Sequence, residues 1–427
     1  MPISVFDAIK RPITSLLGGA ELDLVPTAAA ARKGGEAACS FQETLTIDDR
    51  PYLFTARRET IPFTRTEEFF CRELLDAFAS MFTGFKQEGL AGHFRTALLA
   101  SIMDITVARF LRGDHSKAFW SIQQLIQLLK NLSYQRYEGK QATTGFIIHR
   151  TTLPELRKRV RYQKFTLIDL QPFQNITDHF FDNPLTYRFI DGNGLFFVGN
   201  IQMQVTGVIR TSAAEERNEV ERLTHRGIFS FIRNAGSGAF ALKVNEMSEI
   251  EVMISPEMLL VRRKGRWAIF DPSIFRSFLG GSLAPEAMDD LLWTVYALSK
   301  RRHGAVILIF AGKARQLATL KTGSVGGDDP LGKLLIRHMK GRAIDTLKQS
   351  GALLRLLSSD GMTVFNPSGR LLETGFIIDT SHAREVVTGG GRTTAASAAS
   401  FFGKVIKVSA DGPIELYQDG KRVYRFG

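Results

Sequence analysis

Two segments of this chain repeat one pattern of strands and turns, and the repeat constrains the fold more than any other feature. Residues 242–252 align without gaps with residues 406–416, and 406 minus 242 gives an offset of 164. Two further matches lie upstream in the same order: an Asp-Gly pair before a Thr-Gly pair, and an apolar run after an amphipathic helix. In the first match, Asp191-Gly192 and Thr206-Gly207 align with Asp360-Gly361 and Thr374-Gly375. In the second match, residues 145–148 align with residues 304–308. Ordered matches at nearly constant spacing predict a duplicated domain; convergent strand-and-turn patterning is the alternative.

The rest of the chain divides around this repeat. Apolar residues at helical spacing fill residues 66–135, whereas the pattern beyond residue 140 is rich in strands. We therefore predict an α/β (mixed α+β) protein with four segments. They are an N-terminal arm and hairpin (1–65), a helical region (66–135), a diverged first copy (136–278) and a second copy (283–427). Within the first segment, the Gly- and Ala-rich residues 18–40 are predicted to form a loose linker.

Composition excludes several classes of protein. The 427 residues are 44% hydrophobic and 23% charged, as in ordinary soluble domains. The longest apolar runs, such as residues 305–310, are far shorter than the roughly 20 residues of a membrane-spanning helix. We therefore expect no membrane span. Residues 1–17 lack a secretory signal, so we also expect a cytoplasmic location. The two cysteines, Cys39 and Cys71, can form neither a disulfide framework nor a zinc cluster.

The formal net charge of +12 favours polyanionic partners. Basic residues form short scattered clusters, at 157–159, 262–264 and 300–302, which are typical of solvated faces. A nucleic-acid-binding protein more often carries a dense basic stripe. Nucleic acid therefore stays open as a partner but is not favoured.

Two places in the second copy carry side chains and backbone suited to nucleotide chemistry. Asp360-Gly361 offers a carboxylate at a turn, and Gly389 to Gly391 form a glycine loop that opens a helix of small residues. Backbone N–H groups of such a loop and helix start can hold an anion. The alternative is structural, with the glycines a flexible loop and Asp360 only part of a turn.

Four ordered motifs in residues 283–427 resemble the diadenylate cyclase (DAC) domain, which joins two ATP molecules into cyclic di-AMP. In chain order they are His303-Gly304-Ala305, Asp360-Gly361-Met362, residues 390–396 and Asp419-Gly420-Lys421. In the family, the corresponding motifs are His-Gly-Ala, Asp-Gly-Ala, Gly-x-Arg-His-Arg-Ala-Ala and Asp-Gly-Lys. The resemblance implies a central mixed β-sheet flanked by helices. Together with the internal repeat, it implies two such domains in tandem, preceded by the helical region. Because DAC domains work face to face, it also implies that the two copies pair within one chain.

The departures from the family motif bear on activity. In the family the aspartate serves the ribose hydroxyl and a metal ion, and the Arg-His-Arg group grips phosphate. This chain keeps Asp360 and Arg392, but Thr393 and Thr394 stand where a histidine and a second arginine are expected. Phosphoryl transfer needs cationic donors on the phosphates, so the loss favours binding over synthesis, as in a divergent sensor-type member. A Mg or Mn ion at Asp360 is expected only if a nucleotide is processed.

The first copy adds weaker candidates. Residues 222–227 fall where the Arg-His-Arg motif is expected, and they retain a His-Arg pair at His225-Arg226. Asp191, which corresponds to Asp360 in the repeat, is a second catalytic candidate. The alternative for His225 is that it only caps or packs in a helix. The predicted nucleotide-binding residues are Gly361, Gly390, Gly391, Arg392, Thr393 and Thr394, with Gly192, Thr224, His225 and Arg226 from the first copy.

Three functions follow from these observations. The leading prediction is a sensor that binds a nucleotide or a cyclic dinucleotide and signals to an effector protein. The first alternative is an active diadenylate cyclase, a nucleotidyltransferase that makes cyclic di-AMP from two ATP. The second is a basic nucleic-acid-binding protein.

Overall fold

The computed structural model describes most of the chain, and it divides the chain into two compact units. The described residues are 2–27, 39–47, 49–87, 101–113, 119–161, 165–210, 219–224, 226–254, 257–325, 329–381 and 390–427. The N-terminal unit comprises Met1–Glu216 and His225–Asp271, and the C-terminal unit comprises Arg217–Thr224 and Pro272–Gly427. Helix Glu219–Thr224 therefore belongs to the C-terminal unit, although the chain on both sides of it belongs to the N-terminal unit.

The N-terminal unit begins with a small antiparallel sheet and a set of helices. The elements are α1 (Pro2–Leu16), β1 (Glu21–Pro26), β2 (Ser40–Ile47), β3 (Arg50–Arg57), α2 (Arg65–Gln87), α3 (Ile102–Arg112) and α4 (Trp120–Ser133). The three strands pair in the order β1-β3-β2. Strand β1 lies in the segment that was predicted to be a loose linker. It forms because Leu22 and Leu24 alternate with polar residues and are buried.

A large mixed sheet follows in the same unit. This part of the unit contains the hairpin β4 (Arg136–Tyr137) and β5 (Lys140–Gln141), then β6 (Thr144–His149), α5 (Leu153–Arg161), β7 (Thr166–Asn175), α6 (Pro184–Phe189), β8 (Leu195–Asn200), β9 (Gln204–Arg210), α8 (Arg226–Ala235), β10 (Phe240–Val244), β11 (Ile250–Ile254), β12 (Met258–Arg263) and β13 (Arg266–Phe270). Helix α7 (Glu219–Thr224) lies between β9 and α8 in the sequence but belongs to the C-terminal unit. Eight strands pair in the order β13-β12-β11-β10-β6-β8-β9-β7. Strand β6 is buried along its whole length, as expected for a central strand.

The C-terminal unit contains a second mixed sheet. Its further elements are α9 (Pro272–Leu279), α10 (Pro285–Arg301), β14 (Ala305–Phe310), α11 (Ala314–Thr319), β15 (Lys321–Ser324), α12 (Pro330–Met339), α13 (Ile344–Gln349), α14 (Ala352–Leu357), β16 (Met362–Phe365), β17 (Leu371–Ile378), α15 (Gly391–Ala399), β18 (Gly403–Val408), β19 (Ile414–Gln418) and β20 (Lys421–Phe426). Seven strands pair in the order β15-β17-β16-β14-β18-β19-β20.

The two large sheets share one topology. Strands β7, β9, β8, β6, β10, β11 and β12 occupy the same order as β15, β17, β16, β14, β18, β19 and β20. In each sheet one pair is parallel, β6 with β8 and β14 with β16, and the other pairs are antiparallel. Strand β13 is an addition to the first sheet. The prediction of a mixed α/β fold with central sheets and flanking helices is thus confirmed.

The strand pairs that hold the sequence repeat have the same register. Leu242 pairs with Val252 across β10 and β11, and Ile406 pairs with Leu416 across β18 and β19. These four residues are buried. The repeat therefore marks equivalent positions in the two sheets.

Candidate functional site

Asp360 lies in a turn at the amino end of β16, beside the amino end of the parallel strand β14. The turn depends on Gly361, whose φ of +85° is a left-handed conformation that favours glycine. A Cβ on Gly361 would lie 2.6 Å from the carbonyl carbon of Gly375, so two backbone segments touch there. This close approach holds Asp360 against the Thr374-Gly375 segment of β17.

The Asp360 carboxylate forms an ion pair with Arg392. The Nη2 atom of Arg392 donates to Oδ1 of Asp360 over 3.1 Å, and the two side chains are 44% and 76% exposed. Arg392 also lies directly over Gly304, because a Cβ there would be 2.5 Å from its Nη1 atom. The glycine of the His303-Gly304-Ala305 motif thus makes room for the guanidinium that the motif around Arg392 supplies.

Arg392 lies in the first turn of α15. Gly390 is the N-cap residue of this helix, and its carbonyl accepts hydrogen bonds from the N–H groups of Thr393 and Thr394 over 2.8 and 3.3 Å. Gly390 and Gly391 are exposed, whereas both threonines are half-buried. The first N–H groups of a helix, here those of Gly391 and Arg392, have no partner inside the helix, which leaves them directed at any group bound there. Gly389 lies outside the described residues.

A cavity of about 420 Å³ opens beside Asp360. Its walls come from α12, from α14, from the turn around Asp360 and from the Thr374-Gly375 segment of β17. The apolar lining residues are Val325, Leu335, Ile336, Met339, Ala352 and Leu356, and the polar ones are Ser350, Arg355, Ser359, Asp360 and Thr374. The volume lies in the range of small-molecule sites. Asp360 thus borders both the cavity and the guanidinium of Arg392.

In the N-terminal unit, Asp191 stabilises its own turn. Its Oδ1 atom accepts hydrogen bonds from the backbone N–H groups of Asn193, Gly194 and Leu195 over 2.8, 2.9 and 3.1 Å. Gly192 has a φ of +68°, and a Cβ there would lie 2.5 Å from the carbonyl oxygen of Thr144. Asp191 therefore differs from Asp360, whose carboxylate contacts a cation.

The remaining candidates of the first copy are Thr224, His225 and Arg226. Thr224 lies in α7 of the C-terminal unit, and its hydroxyl donates to the carbonyl of Val220 inside the same helix over 2.8 Å. His225 lies outside the described residues. Arg226 is the first residue of α8, and its side chain also lies outside the described part of the chain.

Sequence patterns did not identify the charged residues beneath α15. Lys407 in β18 and Glu415 in β19 are both buried and lie opposite one another, with 2.7 Å between Nζ and Oε2. Burial alone would raise the pKa of Glu415, but the bond to Lys407 and its charge, the Tyr417 hydroxyl and the charge of Arg422 together lower it. The available signal was a Lys and a Glu within two apolar strands.

The described residues contain no cluster of three or more His, Cys, Asp or Glu side chains that could hold a metal ion. Asp360 is the one carboxylate among the residues that line the cavity. A Mg²⁺ ion is often held by one or two carboxylates together with substrate phosphates. Asp360 could serve such an ion only in competition with Arg392.

No protein-family model matches the chain, and no curated protein is significantly similar to it. Among solved structures, it is similar to a hypothetical membrane-spanning protein from Bacillus cereus, with 18% identity, a TM-score of 0.27, and coverage of 36% of this chain and 70% of that chain. DacA from Staphylococcus aureus, in a double-mutant form, matches with 16% identity, a TM-score of 0.24, and coverage of 32% and 86%. At these scores, neither likeness assigns a function. In the described part of this chain, no helix has the length and apolar character needed to cross a bilayer.

Proposed function

We propose that the C-terminal unit binds a nucleotide or a cyclic dinucleotide and acts as the sensor part of a signalling protein. The observation that carries this proposal is the Arg392–Asp360 pair at the edge of the 420 Å³ cavity and at the start of α15. A guanidinium beside a helix start suits phosphate, and an apolar cavity suits a nucleobase. An effector protein that responds to the bound state is part of the proposal.

The phosphate part of the ligand would contact Arg392 and the first turn of α15. Arginine presents several donors in a plane and matches phosphate oxygens well. The ion pair with Asp360 is exposed, and exposed ion pairs contribute little, about 0–1 kcal/mol. A phosphate can therefore replace the carboxylate as the partner of Arg392 at small cost.

The base would occupy the cavity between α12 and α14. Leu335, Ile336 and Met339 supply apolar contacts from one helix, and Leu356 supplies them from the other. Thr374 and Ser359 offer hydrogen-bonding groups for the base edge. A mainly apolar lining with a few polar groups is typical of small-molecule pockets.

Two features favour binding over synthesis. Thr393 and Thr394 supply hydroxyls where the diadenylate cyclase motif, which this unit resembles, has a histidine and an arginine. The carboxylate that would serve the ribose hydroxyl, Asp360, is already paired with Arg392. The transition state of phosphoryl transfer spreads negative charge over several oxygens, and fewer cations stabilise it less.

An active diadenylate cyclase is the second candidate. Its motivation is the retention of Asp360 and Arg392 at the positions that the family motif gives to the aspartate and the first arginine. Asp191, His225 and Arg226 would have to supply the remaining groups. Asp191 is bound by three N–H groups of its own turn, which disfavours this candidate.

Nucleic-acid binding through the basic clusters has less support. Arg157 pairs with Asp169, Arg263 with the buried Glu249, and Arg301 with Glu219. One member of each of the three clusters thus has an acidic partner inside the protein.

The test is a ligand screen of the full chain with ATP and cyclic di-AMP, each with and without Mg²⁺ or Mn²⁺. A ligand that binds only the folded protein raises the melting temperature, and above Kd the rise grows with the logarithm of the ligand concentration. We expect a shift with at least one ligand and no cyclic di-AMP formed from ATP by chromatography. Absence of any shift would contradict the proposal, and clear turnover would favour the cyclase.

A further inference from the structure

Three charged residues form a row across neighbouring strands beneath the start of α15. Lys407 in β18 lies opposite Glu415 in β19, and Glu415 lies opposite Arg425 in β20. Lys407 and Glu415 are buried, whereas Arg425 is partly exposed. Burial of charges destabilises a fold unless the charges are paired and hydrogen-bonded, so the partners of each buried residue in this row matter.

Three cationic side chains surround the Glu415 carboxylate. Besides Lys407, its carboxylate accepts hydrogen bonds from the Tyr417 hydroxyl over 3.0 Å and from Arg422 over 3.1 Å, and Arg425 lies 3.8 Å away. One anion thus faces three cations. The cluster keeps a net positive charge, and Glu415 would remain paired if Lys407 were absent.

The second contact of Lys407 is in the candidate site. Its Nζ atom donates to Oγ1 of Thr393 over 2.7 Å. An ammonium group has donors only, so the Thr393 oxygen must accept and its own proton must be donated elsewhere. Within the described residues no atom accepts a hydrogen bond from this hydroxyl. Thr393 follows Arg392 in the first turn of α15, where a bound phosphate would supply the missing acceptor.

The N-terminal unit has the same two residues at the same positions. Lys243 lies opposite Glu251 across β10 and β11, and both are buried. The differences 407 minus 243 and 415 minus 251 both equal 164, the spacing of the sequence repeat. The Nζ atom of Lys243 donates to Oδ1 of Asn193, in the turn of Asp191, over 2.6 Å. In each unit, therefore, the buried lysine reaches a residue in or beside one of the two candidate sites.

We infer that Lys407 is a positioning residue of the nucleotide site in the C-terminal unit: it orients the Thr393 hydroxyl towards the phosphate and places a buried positive charge under it. This inference rests on the proposed function. In this arrangement the Thr393 hydroxyl links Lys407 to the phosphate, and Lys407 supplies from the sheet the positive charge that a basic side chain on the helix would supply.

The experiment measures binding of ATP to the full chain by calorimetry for Thr393→Val, Lys407→Met and the double variant. Adenosine, which has no phosphate, is the matched probe, and Thr393→Ser is the conservative variant. Each single change removes one link between the lysine and the phosphate. We expect at least about a tenfold loss of ATP affinity in each, the range for a hydrogen bond to a charged group. The double variant should lose little more, adenosine binding should be unchanged, and Thr393→Ser should bind ATP like the original protein.

Two results overturn the inference while leaving the proposed function intact. One is ATP binding by Thr393→Val at the original affinity. The other is a loss in Lys407→Met that is equal for ATP and adenosine, since that indicates a purely structural role. If the unaltered chain binds neither ATP nor cyclic di-AMP, the proposed function fails and the inference fails with it. Thr393→Val leaves the Lys407–Glu415 pair in place, so it keeps the test valid even if Lys407→Met folds poorly.

Discussion

The guanidinium of Arg392 lies 3.1 Å from the carboxylate of Asp360, so the two side chains that carry the family-like motifs are paired with one another. Both are substantially exposed, and the pair lies at the edge of the cavity. A ligand phosphate would have to share or replace this contact.

Asp360→Asn is expected to tighten nucleotide binding. The change removes a negative charge that repels phosphate and competes for Arg392. Because the pair is exposed, the gain should be modest, up to about fivefold in Kd at low salt. Titration at low and high salt checks this, since screening should reduce the difference. Weaker binding in Asp360→Asn would instead indicate that the carboxylate holds the ligand or a metal ion.

Arg392→Gln is expected to weaken binding of ATP about ten- to a hundredfold. It removes a charge-assisted hydrogen bond to phosphate, which contributes about 1.5–3 kcal/mol. Arg370→Gln is the matched control, because Arg370 is an exposed arginine of the same unit that bonds to the Gly341 carbonyl instead. Equal affinities of the two variants would remove Arg392 from the site.

Glu415→Gln is expected to destabilise the C-terminal unit by about 3–5 kcal/mol at neutral pH, because it leaves Lys407 buried without its carboxylate. The pKa of Glu415 is lowered in the folded protein by its cationic partners, against the effect of burial. Its stabilising contribution is therefore complete above the unfolded pKa of about 4.3 and is lost as the pH falls through the lower folded value.

Denaturation in urea at several pH values checks the Glu415 prediction. The original protein should lose stability between about pH 5 and pH 3, and Glu415→Gln should show a shallower loss. Glu286→Gln, at an exposed glutamate of the same unit, is the control and should change little. Equal acid slopes in the original protein and Glu415→Gln would contradict the assignment.

The stability of the N-terminal unit is also expected to depend on pH, because of the buried His149. Burial lowers its pKa, although the hydrogen bond to the Thr151 carbonyl acts in the opposite direction. The neutral form is thus stabilised by folding, so stability is complete above the unfolded pKa of about 6.5 and falls below it. His149→Asn should reduce the drop in melting temperature between pH 7.5 and pH 5.5. The same change at the exposed His303 should leave that drop as it is.

Gly361→Ala is expected to cost about 1–3 kcal/mol and to weaken ligand binding. A side chain at a φ of +85° is strained, and its Cβ would meet the Gly375 backbone at 2.6 Å. Gly341→Ala is a close control, because Gly341 has a φ of +78° but no atom within 4 Å of a Cβ. Urea denaturation and ATP titration of both variants separate strain from collision. Identical losses would show that the contact with Gly375 is unimportant.

Helices and strands with a strong local signal were predicted well from the sequence. Helix α10 spans Pro285–Arg301 and strand β14 spans Ala305–Phe310, and the sequence carries clear signals for both: a proline at the helix start, apolar residues at helical spacing and a break at Gly304. The left-handed conformation at Arg302 ends the helix. Strand β1 was missed, because two alternating leucines in a Gly- and Ala-rich region are a weak pattern.

The candidate site was predicted only in part. Asp360, Gly361 and Arg392 were singled out from the sequence, and their role in binding stays a prediction. The ion pair between Asp360 and Arg392 was not predicted, because residues 32 positions apart carry no local signal of contact. The cavity was also missed. Its walls include α14, which is only six residues long, and helical periodicity cannot be recognised over so short a segment. Lys407 was missed because its partners lie on another strand and on a helix.

Helix α7 has a practical consequence for any attempt to divide this protein. It precedes Pro272 by some fifty residues, yet it supplies Glu219, the partner of Arg301, and the Leu223 carbonyl that accepts a hydrogen bond from Lys300. A fragment cut at Pro272 would lose both partners and expose the surface of α10 that α7 covers. No single cut therefore yields an intact half, and a recombinant C-terminal piece would need this short helix restored by a graft or a circular permutation.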